Sequence, residues 1–173
     1  MEKSKEQLLE LAFKLGKDYE KKCTACAQTT IAAIFETLGT WNEDVFKSAS
    51  GLADGLGFTG DGTCGALVGA SMVIGYLFGR EKKDFQNITK PLKSYSLVKK
   101  LHDKYLGQYG TCRCYDVQNH LQGRFYDLWD QNQLKEAFES DMMEHCSDLV
   151  GFISKYAVEL ILESGFKPET QKP

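Results

Sequence analysis

No apolar run in this sequence approaches the roughly 20 residues that a membrane span needs. The opening stretch, MEKSKEQLLELAFK, has neither the apolar centre nor the cleavage site of a secretory leader. A soluble, cytoplasmic protein is therefore expected, rather than a membrane-bound or secreted one. Basic residues are scattered through a chain of net charge −3, which removes nucleic acid and anionic membrane from the expected partners. There is no internal repeat, no low-complexity tract and no alternation of apolar and polar residues long enough for a strand. Two cysteine patterns are missing as well. No CxxC is followed by His, as covalent haem attachment requires, and the clustered spacings of ferredoxins are absent.

What remains is an ordinary globular composition, 42% apolar and 26% charged over 173 residues, enough to bury one core. The expected fold is all-α, a single-domain helical bundle over 1–173 with 166–173 as a frayed tail. Helical periodicity runs from about Lys5 to Lys21, then from Ala27 to a stop at Gly39, with Thr24 as the expected cap. Asn42 starts a short helix, and 80–90 reads as polar and exposed. Thr89 and Pro91 start another helix that runs toward Gly107 or Gly110. Residues 111–116 read as irregular and 115–130 gives no clear pattern. Helix returns from Asn132, and most clearly from Asp141 to Ser164.

The bundle is expected to be organised by residues 51–79. Five glycines (Gly51, Gly55, Gly57, Gly60 and Gly62) precede an apolar helix that carries no charge before Arg80. Such a loop reaches backbone angles closed to other residues, and its N–H groups can curl around an anion or a cofactor. Gly60, Gly62 and, at the helix start, Gly65 are the candidate cofactor-contacting positions. Apolar on nearly all faces, the helix is expected to be the buried central one, capped by Asp61 or Thr63 and ended by Gly79. Cys64 stands at its start, where free N–H groups and the positive end of the helix dipole favour a thiolate. Cys26 stands at a second helix start, with Lys21 and Lys22 just before it.

Six cysteines (Cys23, Cys26, Cys64, Cys112, Cys114 and Cys146) suggest metal, cluster or redox chemistry in a reducing compartment rather than structural disulfides. Cys23-x-x-Cys26 has the spacing of metal sites and of redox dithiols. Helix starts at 26 and 64, the 112–114 loop and Cys146 on the buried stripe of the last helix can meet at one end of a bundle. Three or four sulfurs gathered there could hold an iron–sulfur cluster, with glycine-loop N–H groups bonding to them. Core filler is the plain alternative for Cys64 and Cys146. His102 and His120 read as ordinary polar residues, and His145 as a weak ligand because it points away from Cys146.

The stretch Cys64-Gly65-Ala66-Leu67-Val68-Gly69 resembles the C-G-A-x-x-G motif of the C_GCAxxG_C_C family of redox-active proteins. Cys26-Ala27-Gln28 is similar to that family's first cysteine, Cys114 with Tyr115-Asp116 to its third and Cys146 to its fourth. The likeness runs from roughly residue 7 to 163. It implies a small α-helical redox protein whose site residues are Cys26, Cys64, Cys114 and Cys146. A related module in split-Soret cytochromes c, together with the frequency of two-fold pairs, suggests a homodimer. Cys23 and Cys112 lie beyond the four-cysteine pattern, as candidate extra ligands, a second redox pair or a resolving thiol.

The leading expectation is an electron-transfer protein in which the four cysteines ligate an iron–sulfur centre, with an unidentified redox partner. A metal-free thiol–disulfide protein using Cys26 or Cys64 as attacking thiolate is the alternative. A zinc-stabilised scaffold and a module holding a small anion in the glycine loop stay open beside these.

Overall fold

The computed structural model describes residues 3–168, and every regular element among them is helical. The order is α1 (Lys5–Cys23), α2 (Cys26–Leu38), α3 (Glu43–Ser48), α4 (Gly65–Phe78), α5 (Leu92–Tyr109), α6 (Cys114–Gln122), α7 (Gln131–Glu139) and α8 (Met142–Glu163). The all-α expectation holds. The nearest approach to a strand is an isolated antiparallel bridge between Thr63 and Arg113.

Local chemistry sets most of the boundaries. The Ser4 hydroxyl accepts from Gln7 N at 3.2 Å while the Gln7 side chain accepts from Ser4 N at 2.9 Å, a reciprocal cap on α1. Asn42 caps α3 and Asp130 caps α7. Gly39, Gly110 and Gly123 end α2, α5 and α6 at φ of 70°, 73° and 81°, in the left-handed region that glycine enters without steric cost.

Three boundaries differ from the sequence expectation. Thr24 does not cap α2; it ends α1 in a left-handed conformation (φ 50°) and donates its N–H to Glu20 O. Neither Asp61 nor Thr63 caps α4, because Cys64 itself takes the N-cap position and Asp61 turns outward to pair with Arg113. The irregular stretch ends early, since α6 starts at Cys114.

α1 lies antiparallel on α8. Lys5 meets Glu163 and Glu159 at one end, and Lys17 meets Glu144 and Asp148 at the other. These solvent-screened pairs mark the register more than they stabilise it. The backbones come together at two glycines: a Cβ on Gly16 would lie 3.1 Å from Gly151 Cα, and one on Gly151 would lie 2.8 Å from Phe13 O. Ile31, Ile34 and Phe35 of α2, Val73 and Ile74 of α4, Leu101 and Tyr105 of α5, and Ile153 and Ile161 of α8 are fully buried in the main core. Each large apolar side chain buried this way contributes about 1.5–3 kcal/mol.

α4 is buried along Ala66, Leu67, Gly69, Ala70, Val73 and Ile74. Its remaining edge, Val68, Ser71 and Met72, lines a surface groove with Val98 and His102. A smaller cluster of Tyr126, Ala137 and Met142 packs with Leu128, Met143 and Cys146, so α7 and the segment before it cover one end of the bundle. Of the tail expected to fray, Phe166 packs against the core and 169–173 lie outside the described residues.

Candidate functional site

The glycine-rich loop takes an unusual path. Asp54, Gly55, Leu56, Gly57 and Phe58 all have positive φ, at 47°, 67°, 77°, 61° and 64°. Five consecutive left-handed residues make one turn of the hand that L-residues avoid, at roughly 1–2 kcal/mol for each non-glycine residue. The turn brings Asp54 and Phe58 to one side, and both line a cavity beneath the loop. At Gly55 no side chain fits, because a Cβ would lie 2.8 Å from Cys114 Cβ and 2.7 Å from the Gly60 carbonyl carbon.

The N–H groups of Gly60 and Gly62 are not left free to cradle a ligand, contrary to the expectation for those two positions. Gly60 N donates to Asp54 O at 3.0 Å and Gly62 N to Gly55 O at 2.9 Å. The loop carbonyls in turn accept from the start of α6: Gly62 O from Cys114 N at 2.9 Å, and Gly60 O from Tyr115 N at 2.9 Å. Cys64 N donates to Cys112 O at 2.8 Å beside the Thr63–Arg113 bridge. These bonds fasten the starts of α4 and α6 side by side, and so bring Cys64 and Cys114 to the same place.

Cys26, Cys64, Cys114 and Cys146 all line that one cavity, of about 60 Å³. One water needs roughly 10–15 Å³ by this measure, so the space holds a few atoms. The four sulfurs come from the first residue of α2, the N-cap of α4, the first residue of α6 and the second turn of α8. All six cysteines of the chain are free thiols. Gly65 has a steric duty here: a Cβ on it would lie 2.4 Å from Cys26 Sγ. Cys23 and Cys112 do not line the cavity. Cys23 is exposed at the end of α1 beside a surface groove with Tyr19 and Trp41, and Cys112 is half-buried with its carbonyl bonded to Cys64 N. His102 lies at the α4–α5 groove, His120 is exposed, and His145 is not on the cavity wall.

Polar groups that the sequence did not single out complete the wall. Asp54 N donates to Cys26 Sγ at 3.4 Å. Asp54 Oδ1 accepts from Cys114 Sγ at 3.0 Å and from Gln118 Nε2 at 2.5 Å. Glu20 reaches in from the last turn of α1 and accepts from the Thr29 hydroxyl at 2.6 Å. Its signal was the row Ala12, Gly16, Glu20 at intervals of four, the buried edge of α1. Tyr105 stands behind Cys64; its buried hydroxyl makes no hydrogen bond of ordinary geometry, though it lies near enough to the Cys64 sulfur to pull that thiol's pKa down against burial. An orphaned buried hydroxyl costs roughly 1–3 kcal/mol, so Tyr105→Phe should stabilise the metal-free protein by about 1 kcal/mol. A lower urea midpoint for Tyr105→Phe would contradict this.

The electrostatics reverse one expectation. A helix start was to favour thiolates at Cys26 and Cys64, yet burial pushes the thiols of Cys26, Cys64, Cys114 and Cys146 all upward. At Cys64 the N–H groups of Ala66 and Leu67 do pull the other way, but desolvation outweighs them. The four are neutral thiols unless a cation neutralises them. Burial likewise raises the Asp54 carboxyl, and it lifts Glu20 from 4.5 to about 7 against the lowering bonds from Thr29 and Ala25.

The Glu20 shift has a consequence for stability. The folded state holds this proton more tightly than the unfolded chain does. Stability is therefore fully present below pH 4.5 and lost as pH rises through about 7. The span corresponds to about 3 kcal/mol at most. In the reduced, metal-free protein the urea midpoint should fall between pH 5 and pH 8, and Glu20→Gln should remove most of that fall. A wild-type midpoint that stays level across this range would refute the assignment.

Chemically, four soft sulfur donors around a small apolar-walled space suit zinc or an iron–sulfur centre better than hard cations. Among the described residues, no three or more His, Cys, Asp or Glu are gathered tightly enough to hold an ion without movement. No described helix is long and apolar enough to cross a membrane.

Neither the curated proteins nor the solved structures contain a match to the chain. The model of the family described as putative redox-active protein (C_GCAxxG_C_C) matches residues 24–160. That span takes in all four cavity cysteines and leaves Cys23 just outside. The chain belongs to the C_GCAxxG_C_C family.

Proposed function

We propose that this protein transfers electrons through an iron–sulfur centre ligated by Cys26, Cys64, Cys114 and Cys146. One observation carries the reading: four thiols, drawn from four helices, line a single buried cavity. The donor set fits the group, since thiolates are the ordinary ligands of iron–sulfur clusters. Such a centre, when bound, supplies reversible one-electron chemistry.

The chain's own residues support this in separate ways. Asp54 N–H bonds to the Cys26 sulfur, and the first N–H groups of α4 face that of Cys64; such bonds stabilise ligating sulfurs and raise a centre's potential. Phe58, Leu128, Met142 and Met143 wall the cavity with apolar surface and limit water entry. Metal-free thiol exchange fits less well. It needs an accessible thiolate, whereas of the two candidate attackers Cys64 is buried, Cys26 is half-buried, and burial holds both thiols protonated.

Anaerobic purification followed by iron, zinc and acid-labile sulfide analysis tests the proposal. The expected product is coloured, with broad visible absorption and stoichiometric iron and sulfide. Colourless protein with stoichiometric zinc, or metal-free protein cycling between thiol and disulfide, would overturn it.

A further inference from the structure

We infer that Asp54 supplies an oxygen ligand to the metal centre of this cavity, making the site a mixed thiolate–carboxylate one. The inference rests on the metal-centre reading above. Asp54 is 7% exposed, lines the cavity, and has a second carboxyl oxygen, Oδ2, that is buried without any hydrogen-bond partner. Its other polar atoms are committed, Oδ1 to Cys114 and Gln118 and N to Cys26. Glu20, the other carboxylate on the wall, is bonded to the Thr29 hydroxyl and to no cysteine.

A buried acceptor left without a partner destabilises the fold. The fold adds to that cost by holding Asp54 at φ 47°, and aspartate is among the few residues that tolerate this region. The same carboxylate already touches a proposed ligand, since the Cys114 sulfur stands 3.0 Å from Oδ1. Iron accepts oxygen beside sulfur, so a metal held by that sulfur gives the orphan oxygen its missing partner.

The test is iron X-ray absorption on wild-type protein, Asp54→Asn and Asp54→Gly, each reconstituted anaerobically with ferrous iron and sulfide. Glycine suits the same positive φ and keeps the N–H to Cys26. A short iron–oxygen shell is expected beside sulfur in the wild type and lost or reduced in Asp54→Gly. Both variants should release iron to a chelator at least tenfold faster. A sulfur-only shell in the wild type overturns the inference and leaves the four-cysteine centre standing, whether or not the variants fold. An oxygen shell unchanged in number and distance in Asp54→Gly overturns it as well. Wild-type protein that takes up no iron defeats the metal-centre reading itself, and this inference with it.

Discussion

Gly69→Ala is expected to lower stability by about 3 kcal/mol, at the upper end of what overpacking costs, and the melting temperature by roughly 10 °C for a chain this long. A Cβ at this position would stand 2.3 Å from Ala27 O and 3.1 Å from Ala27 C and Cα. These are backbone atoms of α2, so no rotamer change can relieve the clash, and α2 and α4 must part. Ala27 follows Cys26, and Gly65, one turn earlier on α4, already packs its backbone against the Cys26 sulfur. Separating the helices therefore moves one thiol away from the other three, so under the proposed iron–sulfur reading the variant should lose iron binding as well as stability. Gly75→Ala is the control on the same helix. A Cβ there meets nothing within 4 Å, so helix propensity alone applies and a gain of about 0.5–1 kcal/mol is expected. Thermal melts of the two variants check both signs. Equal effects would mean that close packing of α2 on α4 does not govern this helix pair.

Cys114→Ser is expected to abolish iron binding while leaving the metal-free fold nearly intact. The serine hydroxyl can still donate to Asp54 Oδ1, as Cys114 Sγ does at 3.0 Å, so the change costs the apo protein about 1 kcal/mol. Oxygen is a poor substitute for thiolate toward iron–sulfur centres. Iron and sulfide content of Cys114→Ser should therefore fall to near zero, with circular dichroism unchanged. Cys23→Ser and Cys112→Ser should retain full occupancy, because neither residue lines the cavity. Full occupancy in Cys114→Ser, or loss in Cys23→Ser, would place the centre elsewhere. The pairing matters because Cys23 sits in the CxxC that spacing alone would have chosen.

Much of the fold was legible because its causes are local. Asn42 and the glycines 39 and 110 start or end their helices through bonds to residues within a few positions along the chain. The start of α6 was missed because its cause is distant: Cys114 N and Tyr115 N are satisfied by the carbonyls of Gly62 and Gly60, about fifty residues earlier. Thr24 was misread for a related reason. Threonine is a common N-cap, but the sharp turn between α1 and α2 needs a left-handed residue there.

The site divides in the same way. Cys26, Cys64, Cys114 and Cys146 were recoverable as the candidate residues from residue type, helix position and the resemblance to the family motif, since each is a property of a short segment. The protonation state of those sulfurs was not. Helix position lowers a thiol's pKa through nearby N–H groups, whereas burial raises it, and burial is a sum over every element packed around the cavity. Glu20 and Asp54 were equally hidden, being ordinary charged residues until α1 and the left-handed turn carry them inward.

The sequence by itself determined that the chain is helical and where most helices stop. Those outcomes depend on hydrogen bonds and periodicities spanning a few residues. Only the tertiary structure decided that the glycine loop bonds to itself and to α6, that the thiols are held neutral, and that two carboxylates share their cavity. Each of these depends on solvent exclusion and on contacts between segments many turns apart, and no local pattern encodes such distances.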